Sequence, residues 1–509
     1  MSTAVTYHEA TKYHPETIGQ GGGLDWSAQP VPYKEYDCAD PVELADFLPF
    51  DPNPFTGRPA DADAHAQVQG ETSLAALSHL IFYTYGVTGV VPGEPRHLLL
   101  RACPSAGGLY PAECYLIVRE WPDLPSGLYG YDPAHHRLIP LWAGPEIADV
   151  AAEACYGNAA VEAAPVMLVI TGVFRRSSWR YGERAYRRIL LDSGHLLANA
   201  TIASHALGLR CTLTAAFCDE RLNTLLRIDP AEEGALAVIT LHPPGECERP
   251  TWSALPSSTS AATSVPPLLD ALHQASVLPA ERPHLVPRGE DQADDLEQRY
   301  GLRGGVPLAI PREPSTLTRA PLNAILRRRS TRRYRRATMS GTQLARILAY
   351  AYHPEALGLG EQPALDRSLL MTFVAVLSVD GLAAGVYYYA PHSNELRLLK
   401  AECSRDAVQF LCLGQELGGD ATAVVFHTAD LQRAVKRQGE RAYRYLHLDA
   451  GMLGERLDLA ALAEGLGASG IGGFFDDQVT DLLGIPAEQA VVYITTLGVP
   501  VGSTPAHDD

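Results

Sequence analysis

The sequence contains no long hydrophobic run and has fewer basic than acidic residues. Its 509 residues carry a formal net charge of -18, and binding along a nucleic-acid backbone draws on clustered Lys and Arg side chains, so we expect no nucleic-acid partner. The apolar stretch LLMTFVAVLSV is too short to cross a bilayer and ends at Asp380. We therefore expect no membrane partner either.

Signals for export and for metal binding are also missing. The amino-terminal segment MSTAVTYHEATKYHPE lacks the apolar core of a signal peptide. The nine cysteines form no CxxC pair and no Cys/His cluster at zinc spacing, which is typical of thiols in a reducing compartment. These absences predict a cytoplasmic protein without a metal site.

What the sequence does contain is an internal duplication. YGERAYRRILLDSGH (181–195) matches QGERAYRYLHLDAGM (438–452), and the offset of 257 residues, from 181 to 438, holds without a gap through Ile228 and Ile485. Upstream, SGLYGYDPAHHRLIPL resembles AGVYYYAPHSNELRLL, and each predicts two strands joined by a turn. An apolar strand follows in both halves, as PVMLVITGVF and as TAVVFHTA, and then a long helix.

Each half is therefore predicted to be an α+β unit, and two such units in one chain predict an intramolecular pseudo-dimer. The long helix of the second half should pack on a core, the sheet being the expected surface, because one of its faces carries Leu446, Ala450, Leu453, Leu457 and Ala461. We expect an N-terminal extension over 1–60, a first unit over 61–243, a Pro/Ser/Thr-rich linker over 244–320 with one or two short helices around 268–277, and a second unit over 321–502.

Three segments stand out as candidate binding elements. The first, CPSAGGLYPAECY (103–115), occurs once and predicts a tight bend that holds backbone amides against a ligand, because paired glycines adopt angles closed to other residues. The second, LRRRSTRRYRR (326–336), could be a solvated basic run. Ser330 within it and the helix-like SGTQLARILAYAY after it favour a phosphate site instead.

The third segment is GASGIGGFFDDQVTDLLGIP (467–486), which follows the long helix of the second half. Its glycines could simply cap that helix, but a cap requires only one. Gly472 and Gly473 therefore predict a backbone pressed close to a ligand, with Phe474 and Phe475 packed beneath and a new helix starting at Asp477.

Together these segments resemble the nitroreductase superfamily of flavoproteins, and specifically its SagB-type azoline dehydrogenase branch. PSAGGLYPAECY is the most specific element, while YHEATKYHP and LDWSAQPVPYKEY near the amino terminus are also similar to this branch. The resemblance implies FMN bound at the interface of two nitroreductase-like units and a two-electron oxidation of thiazoline or oxazoline rings in modified peptides. It also implies a peptide or carrier-bound substrate, with a heterocyclase or a peptide synthetase as the partner enzyme.

The resemblance assigns site residues as well. It implies that the FMN phosphate is held by Arg328, Arg329, Ser330 and Arg332. The flavin ring would be approached from one side by the loop Gly470, Ile471, Gly472 and Gly473, and from the other unit by the bend Pro104, Ser105, Ala106, Gly107 and Gly108.

The catalytic pair departs from the pattern of the branch. A Lys-Tyr pair is expected before the GxRxYR segment, but this chain has Arg180 and Tyr181 there. An arginine stays protonated, which leaves Tyr181 as the candidate base, or as an ordinary aromatic residue at a helix start. His195 and Glu113 are alternative bases that could equally be structural.

Two other functions stay open from the sequence. One is an NAD(P)H-dependent reductase of nitro or quinone compounds, since such flavoproteins need no Rossmann fingerprint. The other is a flavin-free, peptide-binding scaffold with a decayed site. Against decay, the losses in the two halves are complementary: the first half keeps only the bend, while the second keeps only the phosphate clamp and the glycine loop. The sequence therefore predicts one FMN per chain, bound across the duplication.

Overall fold

The computed structural model describes residues 2–19, 23–36, 38, 40–50, 70–93, 97–243, 266–281, 305–309, 317, 320–357 and 364–502. The predicted 1–60 extension and 244–320 linker thus lie partly outside the described residues, as does most of the first-half segment GRPADADAHAQVQGE (57–71). The boundaries of the units stay predictions.

The first half is built on an antiparallel sheet. Within the described residues its strand order is β1-β6-β5-β4-β7-β9-β8. The central strands read as continuous apolar runs because both of their faces are buried. The strands of this half, including the separate hairpin β2–β3, are β1 (Val42–Glu43), β2 (Val87–Val91), β3 (Leu98–Arg101), β4 (Ala112–Val118), β5 (Gly127–Asp132), β6 (Arg137–Ala143), β7 (Val166–Val173), β8 (Arg210–Thr214) and β9 (Glu233–His242).

The second half repeats this architecture. Its described strands follow the order β10-β14-β13-β12-β15-β17-β11, and β16 also pairs with β17. The predicted strand pairs and the apolar strand that follows them are confirmed in both halves. The strands are β10 (Val306–Pro307), β11 (Tyr334–Arg335), β12 (Leu370–Val376), β13 (Gly385–Ala390), β14 (Glu395–Ala401), β15 (Ala423–Asp430), β16 (Gly467–Ile471) and β17 (Gln489–Pro500).

Helices cover the sheets and separate them. The predicted short helix in the linker forms as Pro267–Ala275, and the helix after the basic segment as Gly341–Tyr352. The remaining described α-helices are Thr3–Ala10, Leu74–Tyr85, Glu146–Ala154, Ala159–Glu162, Phe174–Tyr181, Ala185–Ala206, Asp219–Leu226, Pro321–Arg327, Arg405–Leu411, Glu416–Asp420, Leu431–Gln438, Ala442–Ala463 and Asp476–Leu483.

Two 22-residue helices form the centre of the molecule: the first central helix, Ala185–Ala206, and the second central helix, Ala442–Ala463. They cross where Gly194 meets Gly451, because a Cβ on Gly194 would lie 2.3 Å from the carbonyl oxygen of Leu448. The second central helix also packs on β16 and β17, as expected. It is buried on nearly all sides, since it lies between its own sheet and the other half.

Reciprocal ion pairs join the halves. Asp476 accepts hydrogen bonds from Arg184 at 2.7 Å and from Arg187 at 2.8 Å. At the positions 257 residues away, Asp219 accepts from Arg441 and Arg444, both at 2.6 Å. Burial raises the pKa of Asp219, but the two guanidinium groups outweigh it and lower the pKa to about 2. The predicted pseudo-dimer is confirmed, and its approximate two-fold symmetry relates these clusters.

The amino-terminal segment crosses the same interface. The first turn of the helix Thr3–Ala10 is capped by the Glu440 carboxylate, which accepts from the backbone N–H groups of Thr3 and Ala4. Farther along, the backbone N–H of Tyr13 donates to Asp476 at 3.2 Å. This segment therefore contacts the start of the helix after the glycine-rich segment, which begins at Asp476 and not at Asp477 as predicted.

Candidate active site

The Pro-Ser bend has the backbone that its glycines predict. Gly107 and Gly108 have φ angles of 67° and 66°, which lie in the left-handed region. The bend is held by Asp192 of the first central helix, which accepts from the Ser105 hydroxyl at 2.6 Å and from the Ala106 N–H at 3.1 Å. The single bend is thus attached to the central helix of its own half.

Asp192 is the most perturbed carboxyl group beside the bend. Burial raises the pKa of Asp192 to about 7, although the Ser105 hydroxyl, the Ala106 N–H and the Arg188 guanidinium all favour the ionised form. This carboxyl group therefore changes its charge near neutral pH.

Tyr181 and Arg180 lie against the same bend. A Cβ on Gly107 would be 2.7 Å from the Tyr181 hydroxyl oxygen and 3.4 Å from Cδ of Arg180, so a side chain at this position would clash with the tyrosine. The Arg188 guanidinium carbon lies 3.9 Å from the centroid of the Tyr181 ring. Burial raises the pKa of Tyr181 above its ordinary value, while Arg188 and Arg180 oppose that rise.

The glycine-rich segment of the second half meets this cluster. Its first part was expected to be a loop, but residues 467–471 form the strand β16, which pairs with β17. A Cβ on Gly472 would lie 2.3 Å from Nη1 of Arg188, and a Cβ on Gly470 would lie 1.7 Å from the Tyr493 hydroxyl oxygen. The glycines thus make room for side chains of the protein itself, including one from the first half.

The basic segment divides into two functional parts. Arg328 is buried, donates to the carbonyl oxygen of Ala102 at 3.0 Å, and lies 3.6 Å from Glu455 and 3.5 Å from Asp458. Arg329 donates to the carbonyl oxygen of Thr88. Both arginines therefore tie the second half to the strands that lead into the bend of the first half.

Ser330 and Arg332 are differently placed. Neither side chain makes a hydrogen bond or an ion pair with any residue that the structure describes, and Arg332 is exposed. Between them, the backbone N–H of Thr331 donates to the carbonyl oxygen of Ala468 at 2.8 Å. This bond places the two unpaired donors beside β16.

The three predicted segments are thus brought together across the halves. Arg188 links Tyr181 and the bend to Gly472, and Arg328 links the clamp to Ala102, next to Cys103. Gly107 and Gly470 are exposed to solvent beside these contacts, and the surface next to them is called the cleft below.

The equivalent position on the other side of the pseudo-dimer is filled. Tyr445, the counterpart of Arg188, packs in one apolar cluster with Phe217, Leu365 and Ala215, the counterpart of Gly472. Asp449, the counterpart of Asp192, accepts from the backbone N–H groups of Leu365 and Asp366 at 2.8 and 2.7 Å. The carboxylate that holds a backbone segment thus recurs in the second half, but Tyr445 and Ala215 of one apolar cluster stand where the other side has Arg188 and Gly472.

The two alternative bases have structural partners. His195 contacts the Leu191 carbonyl oxygen at 2.7 Å and the Tyr493 hydroxyl at 3.2 Å, and burial lowers its pKa to about 4. The Glu113 carboxylate forms a buried ion pair with Arg176. His195 and Glu113 thus both interact with other residues of the fold.

Sequence reasoning missed Arg188 and Asp192. Both lie in the duplicated segment, and alignment at the 257-residue offset pairs Arg188 with Tyr445 but Asp192 with Asp449. The difference between Arg188 and Tyr445 could have identified Arg188 from the sequence. Asp192 had no such signal, because both halves use the carboxylate to hold a backbone bend.

The fold defines a class: two α+β units in one chain, each built on a sheet of similar architecture. Residues 74–241 and 325–499 match the sequence model of the nitroreductase family. The chain therefore belongs to the nitroreductase family. Among the described residues, no helix has the length and apolarity required to span a membrane.

Similar proteins agree with this assignment. A crystal structure of a protein named as a nitroreductase from Anabaena variabilis superposes with a TM-score of 0.83 at 40% identity, covering 98% of this chain and 100% of that one. MJ1384 of Methanocaldococcus jannaschii, also named as a nitroreductase, is 31% identical over 31% of this chain and 75% of its own length.

A third relative is named for trifolitoxin processing. The trifolitoxin-processing protein TfxB of Rhizobium leguminosarum bv. trifolii is 29% identical over 41% of this chain, and the match spans 58% of its own length. A relative of this kind is what the predicted resemblance to the SagB-type branch requires, and that resemblance is confirmed.

Proposed function

We propose that the protein is an FMN-dependent dehydrogenase that removes two electrons from a peptide-derived substrate in natural-product biosynthesis, converting an azoline ring to an azole. The observation that carries the proposal is the joining of the bend, Tyr181 and the glycine loop through Arg188 at one of the two pseudo-equivalent positions. The similarity to TfxB supports a peptide-derived substrate.

The residues at the cleft fit FMN. A phosphate group takes charge-assisted hydrogen bonds from guanidinium and hydroxyl groups, and Arg332 and Ser330 offer such donors without partners among the described residues. Arg328 and Arg329 would hold the phosphate site to the first half, since their guanidinium groups already bind there. Pro104–Gly108 and Gly470–Gly473 would flank the ring.

Aromatisation of an azoline removes a hydride from one carbon and a proton from another. Bound FMN would supply the acceptor for the hydride. The proton requires a base, and Tyr181 is the proposed one because its hydroxyl oxygen lies against the bend, 2.7 Å from where a Cβ on Gly107 would be. Arg180 would orient substrate or tyrosine, because its guanidinium carbon lies 5.7 Å from the Tyr181 ring centroid.

A synthetic peptide that carries one thiazoline ring tests the proposal. Under air, the purified flavin-loaded protein should convert it to a product that has lost two hydrogen atoms, as read by mass spectrometry. Tyr181→Phe serves as the matched control and should give far less product. Absence of conversion, combined with rapid bleaching of the flavin by NADPH alone, would replace the proposal with the nitro- or quinone-reductase function.

A further inference from the structure

Arg188 is a buried cation without a hydrogen-bond partner among the described residues. Its side chain is only 6% exposed, and its guanidinium group donates to no residue that the structure describes. A buried guanidinium group normally satisfies its five donors, since leaving them unpaired is costly. Its position between the Tyr181 ring and Gly472 therefore needs an explanation beyond packing.

The duplication supplies an internal comparison. Residues that hold the halves together are the same in both, as for Arg184 and Arg441 or Asp476 and Asp219. Arg188 instead faces Tyr445 in the alignment, and Tyr181 faces Gln438. The Arg188–Tyr181 pair thus occurs at one of the two pseudo-equivalent positions, while Tyr445 and Gln438 stand at the other.

We propose that Arg188 is a positioning residue for Tyr181: its positive charge, stacked on the ring, favours the phenolate form that can take the substrate proton. This inference rests on the proposed function, because a base is needed only if the substrate loses a proton. Its test does not depend on that function, because the titration of Tyr181 uses no substrate.

Other charges also face Tyr181. Arg180 lies on the same helix, Asp192 holds the adjacent bend, and Tyr13 comes from the amino-terminal segment. Of these groups, only Arg180 and Arg188 favour the phenolate, and Arg188 is the nearer to the ring, at 3.9 Å against 5.7 Å. Removal of Arg188 should therefore raise the pKa of Tyr181 by about one unit or more, the usual effect of an opposite charge within roughly 4–6 Å.

The experiment is a titration of Tyr181 in the purified protein, followed by the ultraviolet absorbance of tyrosinate from about pH 8 to about pH 13, because the pKa of Tyr181 lies above the ordinary tyrosine value of about 10. Because the chain has 23 tyrosines, the signal of Tyr181 is obtained by subtracting the curve of Tyr181→Phe. The same subtraction is made in the Arg188→Met background. Arg175→Met, an exposed position on the helix of Tyr181, is the matched control.

We expect Arg188→Met to move the Tyr181 titration to higher pH, Arg188→Lys to restore most of the shift, and Arg175→Met to change nothing. An unchanged Tyr181 titration in Arg188→Met would overturn the inference. If Arg188→Met fails to fold, Arg188→Gln compared with Arg188→Lys makes the same test. The readout needs no substrate and no turnover, so its result is independent of whether the azoline assay succeeds.

Discussion

Replacing Asp192 with asparagine should make the protein more resistant to unfolding above neutral pH. The carboxyl group has a pKa of about 7 in the folded protein, against 3.8 when exposed, because it is buried. A raised pKa means that the folded state binds more protons, so the wild type loses stability as pH rises from about 4 to about 7. The difference of about three between these pKa values corresponds to roughly 4 kcal/mol once the group is fully ionised.

The gain in the variant should be smaller than this. The Ser105 hydroxyl and the Ala106 N–H both donate to Oδ2 of Asp192, so an asparagine carbonyl oxygen at that position can still accept from both, but its neutral hydrogen bonds are weaker than those of the carboxylate. With about 1 to 2 kcal/mol lost from weakened hydrogen bonds, we expect Asp192→Asn to be more stable than the wild type by about 2 to 3 kcal/mol at pH 8. At about pH 4 it should be slightly less stable.

Urea unfolding of the flavin-free protein at several pH values measures this difference, since bound ligand would add its own stabilisation. The difference between variant and wild type isolates Asp192 from the other titrating groups. Ser105→Ala should act in the opposite direction, because loss of the hydroxyl donor raises the pKa further. Parallel pH profiles for wild type and Asp192→Asn would show that Asp192 is not buried as the structure places it.

Two further substitutions address the cofactor and the base. Arg332→Ala should weaken FMN binding roughly ten- to a hundredfold, the equivalent of one charge-assisted hydrogen bond, while Arg58→Ala should leave it intact; equal dissociation constants for the two variants by flavin fluorescence titration would refute the clamp assignment. Tyr181→Phe should retain the flavin but slow substrate-dependent flavin reduction by roughly 100-fold, and an unchanged single-turnover rate would remove Tyr181 from the mechanism.

Repetition made much of the fold predictable. The 257-residue offset located two α+β units, and local patterns located the strand pairs and the helix Gly341–Tyr352. The conformation of the glycine-rich segment was harder to predict. Its glycines indicated a loop, whereas pairing with β17 holds residues 467–471 as an extended strand. Pairing across a sheet is a tertiary effect that local sequence does not encode.

The site was predictable only in its parts. The bend, the basic segment and the glycine pair can each be recognised from their local sequence. The ion pairs of Arg328 with Glu455 and Asp458 cannot, because these acidic residues lie on the second central helix, far away in the sequence. The role of Arg188 likewise depends on Gly472, which lies in the other half. Burial and cross-half contacts decide which basic residues remain available to a ligand.

The amount of flavin bound per chain shows whether the protein has one flavin site assembled from both halves. Protein saturated with FMN and freed of excess should contain one FMN per 509-residue chain, released by acid and identified by chromatography. A crystal of the same sample should place the phosphate beside Ser330 and Arg332. Two flavins per chain, FAD as the native flavin, or a phosphate bound by the first half would contradict the account.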